Sequence, residues 1–292
     1  MSSKLKFRLV LLLCLFFVFI LSLYIFITLR NDKGILTVAF LNIGQGDSIF
    51  IESPSGNQVL VDGGVGRGVL RELSSVMKFY DRSLDVVIAT HPDADHIGGL
   101  IDVLEKYKVD LFLEPGVESD TNVYESLKTQ VGKLESGEKI KKLLARSGMK
   151  IDLGSGAVLE ILFPEKDVRG WETNTASIVA RLVYGENEFL LTGDSPSAIE
   201  NYLANKYISK KYNLQSDVLK AGHHGSRTSS SDNFVRAVDP EYAIISAGEN
   251  NRYGHPHQEV VDLFNKLNIK ILRTDTMGRI IFKSDGVNLQ IK

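Results

Sequence analysis

All six histidines of the chain fall in three short segments, the first two placed just after an apolar run. They are His91 and His96, His223 and His224, and His255 and His257. Histidines serving separately in a core or on a surface would not gather this way. Imidazoles delivered together at strand ends require strands that converge on one place, and neutral imidazole suits Zn, Mn or Fe. The first segment runs Thr90-His91-Pro92-Asp93-Ala94-Asp95-His96-Ile97-Gly98-Gly99, between a buried strand pattern and a helical one. It sets His91, Asp93, Asp95 and His96 on one tight turn, enough for two ions, with His91 and Asp93 facing one way and Asp95 and His96 the other. The competing reading is a polar helix cap made by Asp95. In the second segment, glycines bracket His223 and His224 and let the backbone approach an ion closely. Between the two, Phe189–Asp194 reads as a strand delivering one carboxylate, and in that company Asp194 becomes a candidate bridging ligand.

The amino-terminal run Leu9–Leu29 contains no charge, and only Ser22, Tyr24 and Thr28 carry polar side-chain atoms. As a helix it is roughly 32 Å long, against a hydrocarbon core of about 30 Å. A signal peptide would have a shorter apolar core and a small-x-small cleavage site; this run ends in Ile27-Thr28-Leu29-Arg30. A single uncleaved transmembrane helix is the expectation. Lys4, Lys6 and Arg8 precede it, whereas Arg30 and Lys33 follow with Asp32 between them, so the bias puts the amino terminus in the cytoplasm and the rest outside. The expected division is a cytoplasmic stub and transmembrane anchor over 1–30 and a second, folded domain over 35–292, localised to the cell membrane.

Past residue 30 the chain holds 30 of its 34 basic residues and all 36 acidic ones, which excludes a globally basic nucleic-acid binder. One cysteine, Cys14, excludes a disulfide framework and thiolate metal clusters. Strand patterns at 35–41, 48–52, 58–61, 85–90 and 109–113 alternate with helical ones at 71–80 and 97–108, followed by a polar amphipathic stretch at 122–147 read as one long helix or two shorter ones interrupted near Gly137. The second half repeats the grammar, with strands at 157–163, 176–184, 187–192, 216–221, 241–246, 269–273 and 279–283, and helices at 196–207, 231–237 and 257–267. Two such halves predict an α/β fold of four layers, with two sheets face to face.

With these residues in place, the chain resembles the metallo-β-lactamase fold superfamily, and more narrowly the hydrolase domain of ComEC-type competence proteins. The resemblance rests on Gly44-Gln45-Gly46-Asp47-Ser48, Asp62-Gly63-Gly64, the His91–Gly99 turn, Asn174-Thr175-Ala176-Ser177, Leu191-Thr192-Gly193-Asp194, His223-His224-Gly225-Ser226 and Asn251–His257. It covers about residues 35–292 and implies an αββα metallo-β-lactamase-like sandwich behind one transmembrane helix. It departs from the superfamily's common pattern in having Asp93 where a histidine is usual, and Asn174 in the region of the missing third-segment histidine. The implied ligand sets are His91, Asp93 and Asp194 for one ion, and Asp95, His96, Asp194 and His223 for the other. One or two divalent ions, Zn or Mn, are expected, with the oxygen-rich first site leaning toward Mn.

Two ions sharing a carboxylate lower the pKa of a bound water toward neutrality, and they suit a phosphodiester better than a β-lactam. Asp95, His224 and His255 are the candidate catalytic side chains. His255, at a helix start, could give a proton to a leaving oxygen or bind phosphate; His224 could orient a ligand or donate a proton. Asp62 is expected to brace the metal turn. The clusters Lys133–Lys150 and Lys206–Tyr212 are basic, and the second interleaves tyrosines, compatible with single-stranded DNA or with a solvated helix face. The leading function is a membrane-anchored phosphodiester hydrolase, with DNA as one substrate. A wall or lipid phosphoesterase and a non-catalytic metal-binding component of a DNA-uptake complex are the alternatives.

Overall fold

The computed structural model describes residues 3–31, 34–209 and 214–292. Asp32 and Lys33, counted in the flanking charge, and Lys210, Lys211 and Tyr212 of the lysine–tyrosine cluster lie outside the described residues. The apolar run forms α1 (Ser3–Asn31), long and apolar enough to cross a membrane by length and composition. Its Lys6–Leu23 window has no share buried inside the protein.

The first half continues with β1 (Leu36–Phe40), β2 (Ile49–Glu52), β3 (Gln58–Val61), α2 (Gly68–Val76), β4 (Ser83–Ile88), α3 (Ala94–Ile97), α4 (Leu100–Lys106), β5 (Lys108–Glu114), α5 (Asn122–Ser136) and β6 (Lys141–Leu144). The second half has β7 (Lys150–Asp152), β8 (Val158–Phe163), β9 (Val179–Tyr184), β10 (Asn187–Leu191), α6 (Ser197–Ser209), β11 (Val218–Lys220), α7 (Asp232–Val238), β12 (Tyr242–Ile245), α8 (Gln258–Lys266), β13 (Lys270–Arg273), α9 (Thr274–Met277), β14 (Ile280–Ser284) and β15 (Leu289–Ile291). They build an eight-stranded sheet, β15-β14-β1-β2-β3-β4-β5-β6, and a seven-stranded sheet, β13-β12-β11-β10-β9-β8-β7.

Successive side chains on a strand face opposite ways, and here both faces are buried. On β4, Val86 and Ile88 join the core between the sheets, while Val87 and, just past the strand, Ala89 pack under the helices of the first half. On β10 and β12, Phe189, Leu191 and Ile244 enter that same central core, and Leu190, Ala243 and Ile245 turn toward the second half's helices. Three cores imply four layers, so the expected αββα sandwich is the observed one.

Strand direction places the loops. β1, β3, β4, β5 and β6 run the same way, as the antiparallel β1–β2 and β2–β3 pairs and the parallel pairs that follow require. In the other sheet β10, β11, β12 and β13 are mutually parallel. The segments bearing Asp62, His91, Asp194, His223 and His255 therefore all leave the carboxyl ends of strands, where ligands bind in α/β sheets.

The stretch 122–147 is a correction. Its helix stops at Ser136, and Lys141–Leu144 is the edge strand β6, paired in parallel with β5. Glu138 adopts a left-handed backbone that turns the chain, and an edge strand keeps a lysine-rich, one-sided pattern that reads like a helix face. The helix expected over 97–108 is divided between α3 and α4 at Gly98-Gly99. A Cβ on Gly99 would lie 2.2 Å from the Gly63 carbonyl oxygen and 2.6 Å from that of Gly66, so the metal turn packs on the Asp62 loop backbone to backbone. Gly99→Ala should therefore cost at least about 1–3 kcal/mol in thermal unfolding. Gly132→Ala, in α5 with open space around it, should instead stabilise by about 0.5–1 kcal/mol.

Candidate metal centre

Asp194, which follows β10, is the point on which the histidines converge. His96 Nε2 lies 3.3 Å from its Oδ1; His224 Nε2, His223 Nε2 and His91 Nε2 lie 3.4, 3.7 and 3.9 Å from its Oδ2. Asp93 reaches within 3.8 Å of His91 Nε2, and Asp95 within 3.3 Å of His224 Nε2. Donor atoms of Asp47, His96, Asp194 and His224, all four buried, lie within 4.8 Å of one another.

Hydrogen bonds behind the rings define which nitrogen is bare. His96 Nδ1–H donates to Asp62 Oδ2 at 2.8 Å. Thr90 Oγ1 also donates to Asp62 Oδ2, at 2.7 Å, and so accepts from His91 Nδ1–H at 3.0 Å. His224 Nδ1–H donates to the Ser246 carbonyl at 3.0 Å. Each ring is held at Nδ1, leaving Nε2 toward the centre; the Nε2 atoms of His91, His96 and His224 and Oδ1 of Asp194 are buried and have no hydrogen-bond partner. Buried polar atoms are almost always satisfied, and four bare acceptors facing one another are a donor set for cations. The residues fit the divalent ions that the fold implies.

Charge follows the same plan. Burial drives the Asp194 carboxyl up, but His224 and His96 beside it overcome this and hold it well below the usual carboxylate range. Burial pushes His96 down and Asp194 and Asp62 raise it, with a net rise; His224 is raised to about 9 against its burial by Asp194 and Asp47. His91 goes the other way, to about 4, through burial and the neighbouring His96. Burial raises Asp93, with Thr173 bonding opposing it. Without a cation, these imidazolium charges are what balance the carboxylates.

A left-handed backbone at three residues marks the centre. Asp62, His223 and His224 all have φ near +50° to +60° without being glycine. Such residues cost about 1–3 kcal/mol each and persist where their surroundings over-determine them.

Of the residues expected from sequence, His91, Asp93, Asp95, His96, Asp194, His223 and His224 are brought together. The pair 223/224 divides by depth: His224 is fully buried, whereas 29% of the His223 side chain is exposed at the rim, its Nδ1 against Thr228 Oγ1. Asn174 sits in a short turn with its Oδ1 buried and unpartnered. The His255 ring lies edge-to-face with that of His223, 5.5 Å between centroids, and tilted 6.1 Å from that of His224, with Nδ1 buried and unpartnered. Burial, His224, His223 and His257 push it down to about 4. His257 accepts from the Arg227 N–H. Asp62 braces the turn, as expected, by accepting from Thr90 N, Thr90 Oγ1 and His96.

Sequence reasoning missed Asp47 and Lys220. The fully buried Lys220 Nζ contacts Asp47 Oδ2 at 2.7 Å, and Asp47 Oδ1 lies 3.3 Å from His224 Nδ1. The signal was a lysine inside the otherwise apolar strand Val218–Ala221.

Comparison with known proteins agrees with this arrangement. ComE operon protein 3 of Bacillus subtilis (strain 168) is 32% identical over 273 residues, covering 84% of this chain and 33% of that protein. Competence protein ComA of Neisseria gonorrhoeae is 32% identical over 245 residues, covering 84% of this chain and 32% of that protein. The chain thus spans about a third of the length of these curated relatives. Among solved structures, Igni18, a metallo hydrolase from Ignicoccus hospitalis, superposes with a TM-score of 0.53 at 14% identity, over 84% of this chain and 98% of that one; this likeness speaks to the fold alone. The family model described as the Metallo-beta-lactamase superfamily matches residues 41–249, and the chain belongs to that family.

Proposed function

We propose that this chain is a membrane-anchored, extracytoplasmic phosphodiesterase that acts on DNA in the setting of DNA uptake, with zinc or manganese at a two-ion centre. The observation that carries the reading is the set of bare, buried acceptors around Asp194, flanked by Asp93 and Asp95. The first ion is assigned to His91, Asp93 and Asp194. The second is assigned to Asp95, His96, Asp194 and His224. This moves the ligand role expected for His223 to His224, because His224 is the buried imidazole with Nε2 nearest the carboxylates. An oxygen-rich first set favours a phosphodiester over a β-lactam. The names of the relatives support the DNA-uptake setting. α1, exposed and apolar throughout its central window, supports anchoring of residues 1–30, with residues 35–292 as the hydrolase domain.

Bound ions would supply Lewis-acid activation of water and neutralisation of phosphoryl oxygens. The protein's own groups do the rest. Asp62, Thr90 and Ser246 hold the histidines by Nδ1 so that no ring must rotate to meet a ligand. His223, at the rim, can donate to a phosphoryl oxygen. His255 is neutral near pH 7; an anionic phosphodiester beside it draws its pKa upward, so it can bring a proton to the leaving oxygen.

With added Mn²⁺, the full chain should cleave bis-p-nitrophenyl phosphate and single-stranded DNA, and Asp194→Ala should lose both activity and bound metal. Hydrolysis of phosphocholine esters alone would redirect the reading to a wall or lipid phosphoester. Full metal content with no hydrolysis would leave a binding role.

Asp62→Asn tests the support behind the ligands. An amide N–H facing His96 Nδ1 makes that nitrogen an acceptor and moves the proton to Nε2. Metal affinity should fall about 10–100-fold in a protein that still unfolds cooperatively. Unchanged affinity by metal titration would remove the tautomer argument.

His255→Ala should lower kcat on DNA by about 10²–10⁴-fold with metal content intact. The loss should be smaller on bis-p-nitrophenyl phosphate, whose leaving oxygen needs no proton. Equal losses on both substrates would assign His255 to phosphate binding.

A further inference from the structure

Among the described residues outside α1, the three most exposed large apolar side chains are Phe79, Tyr80 and Val287, at 83%, 67% and 62%. Val287 is far from Phe79 and Tyr80 in sequence but lies at the same end of the eight-stranded sheet. Phe79 and Tyr80 precede β4, and so sit at the amino-terminal end of the parallel strands. Val287 is in the turn after β14, whose last residue, Ser284, is registered opposite Leu36 at the start of β1. Four strand spacings separate β14 from β4, about 19 Å.

The chain enters the fold at this same end. Tyr184 donates its hydroxyl hydrogen to the Gly34 carbonyl at 2.8 Å, and the neighbouring Glu186 N–H donates to the Gly286 carbonyl in the Val287 turn. From Asn31, the end of α1, to Gly34 is three residues, at most about 11 Å of chain. A span in α1 therefore holds this end, and not the metal end, against the bilayer.

We propose that this end is a second membrane contact, in which Phe79, Tyr80 and Val287 enter the headgroup region of the bilayer that α1 crosses; the proposal rests on the reading of α1 as a span. Exposed apolar groups along one end of a sheet mark an interaction surface, and aromatic rings favour the boundary between hydrocarbon and water. Phe79 and Tyr80 form an edge-to-face pair, 5.3 Å between centroids, that presents one compact apolar tip. Exposed Lys78 and Arg82 flank it, while Asp81 turns inward to accept from Gln58 Nε2 and Ser83. The charges left facing outward beside the tip are positive and complement anionic headgroups.

The test uses the full chain in vesicles of phosphatidylglycerol and phosphatidylethanolamine with brominated acyl chains. In a Trp171→Phe background, which removes the only native tryptophan, Phe79→Trp is compared with Met277→Trp. Met277 is also exposed, but it follows β13 at the metal end. The tryptophan of Phe79→Trp should be quenched severalfold more than that of Met277→Trp, and adding Tyr80→Ser should reduce the difference. Equal quenching in chains that float with the vesicles overturns the contact and leaves the span intact. Protection of the Phe79→Trp residue from aqueous acrylamide without bromolipid quenching also overturns it, in favour of a protein surface such as a second copy. Chains that fail to float overturn the span and the contact together.

Discussion

One carboxylate, Asp62, connects the sandwich to its chemistry. It stands immediately after β3 and accepts hydrogen bonds from the Thr90 backbone and hydroxyl and from His96. Through Thr90 it also fixes His91, so a single group at one strand end orients two imidazoles delivered by the next strand. The donors are buried, and removing the acceptor would leave each unsatisfied at about 1–3 kcal/mol. That explains why a left-handed backbone is tolerated at an aspartate: the strain is small beside the three bonds it makes possible.

A second buried network serves the other sheet. Lys220 and Asp47 form an ion pair with both side chains nearly inaccessible, and Asp47 faces the back of His224. Burial raises the Asp47 carboxyl, while Lys220 and His224 draw it down more strongly, so it stays ionised. A buried pair of this kind contributes little net stability over an apolar substitute, yet losing one partner costs about 3–5 kcal/mol. Its value here is positional. The first sheet supplies Asp47, the second supplies Lys220 and His224, and the pair registers one sheet against the other where the metal turn and the His223-His224 turn meet.

The sequence displayed the layers because both sheets are buried on two faces, and unbroken apolar runs such as Val86–Ala89 and Phe189–Leu191 admit no other placement. It displayed the histidine turns because their spacing is local. It did not display Lys141–Leu144 as a strand, since an exposed edge gives a pattern set by solvent and not by packing. Nor could it separate His223 from His224. Two adjacent residues with left-handed backbones point by loop geometry, which residue types alone do not carry. Asp47 was visible as part of a turn but not as a partner of Lys220, because that contact spans the two sheets.

Strand polarity joins the two ends of the domain into one argument. The donor set lies at the carboxyl ends of β4, β10 and β11, with Asp62 behind it at that of β3; Gly34, Phe79 and Val287 lie at the opposite end. Strands of five or six residues separate those ends by about 17–20 Å. A domain tethered through Gly34 and resting on Phe79 and Tyr80 holds its metal end above the headgroups, facing away from them. A lipid phosphoester in the same bilayer could not reach Asp194 without a tilt that lifts both aromatic rings out. A long polymer arriving from outside meets that edge directly. On the proposed anchoring, the same geometry would also select among substrates with phosphodiester chemistry, favouring DNA over the lipid beneath.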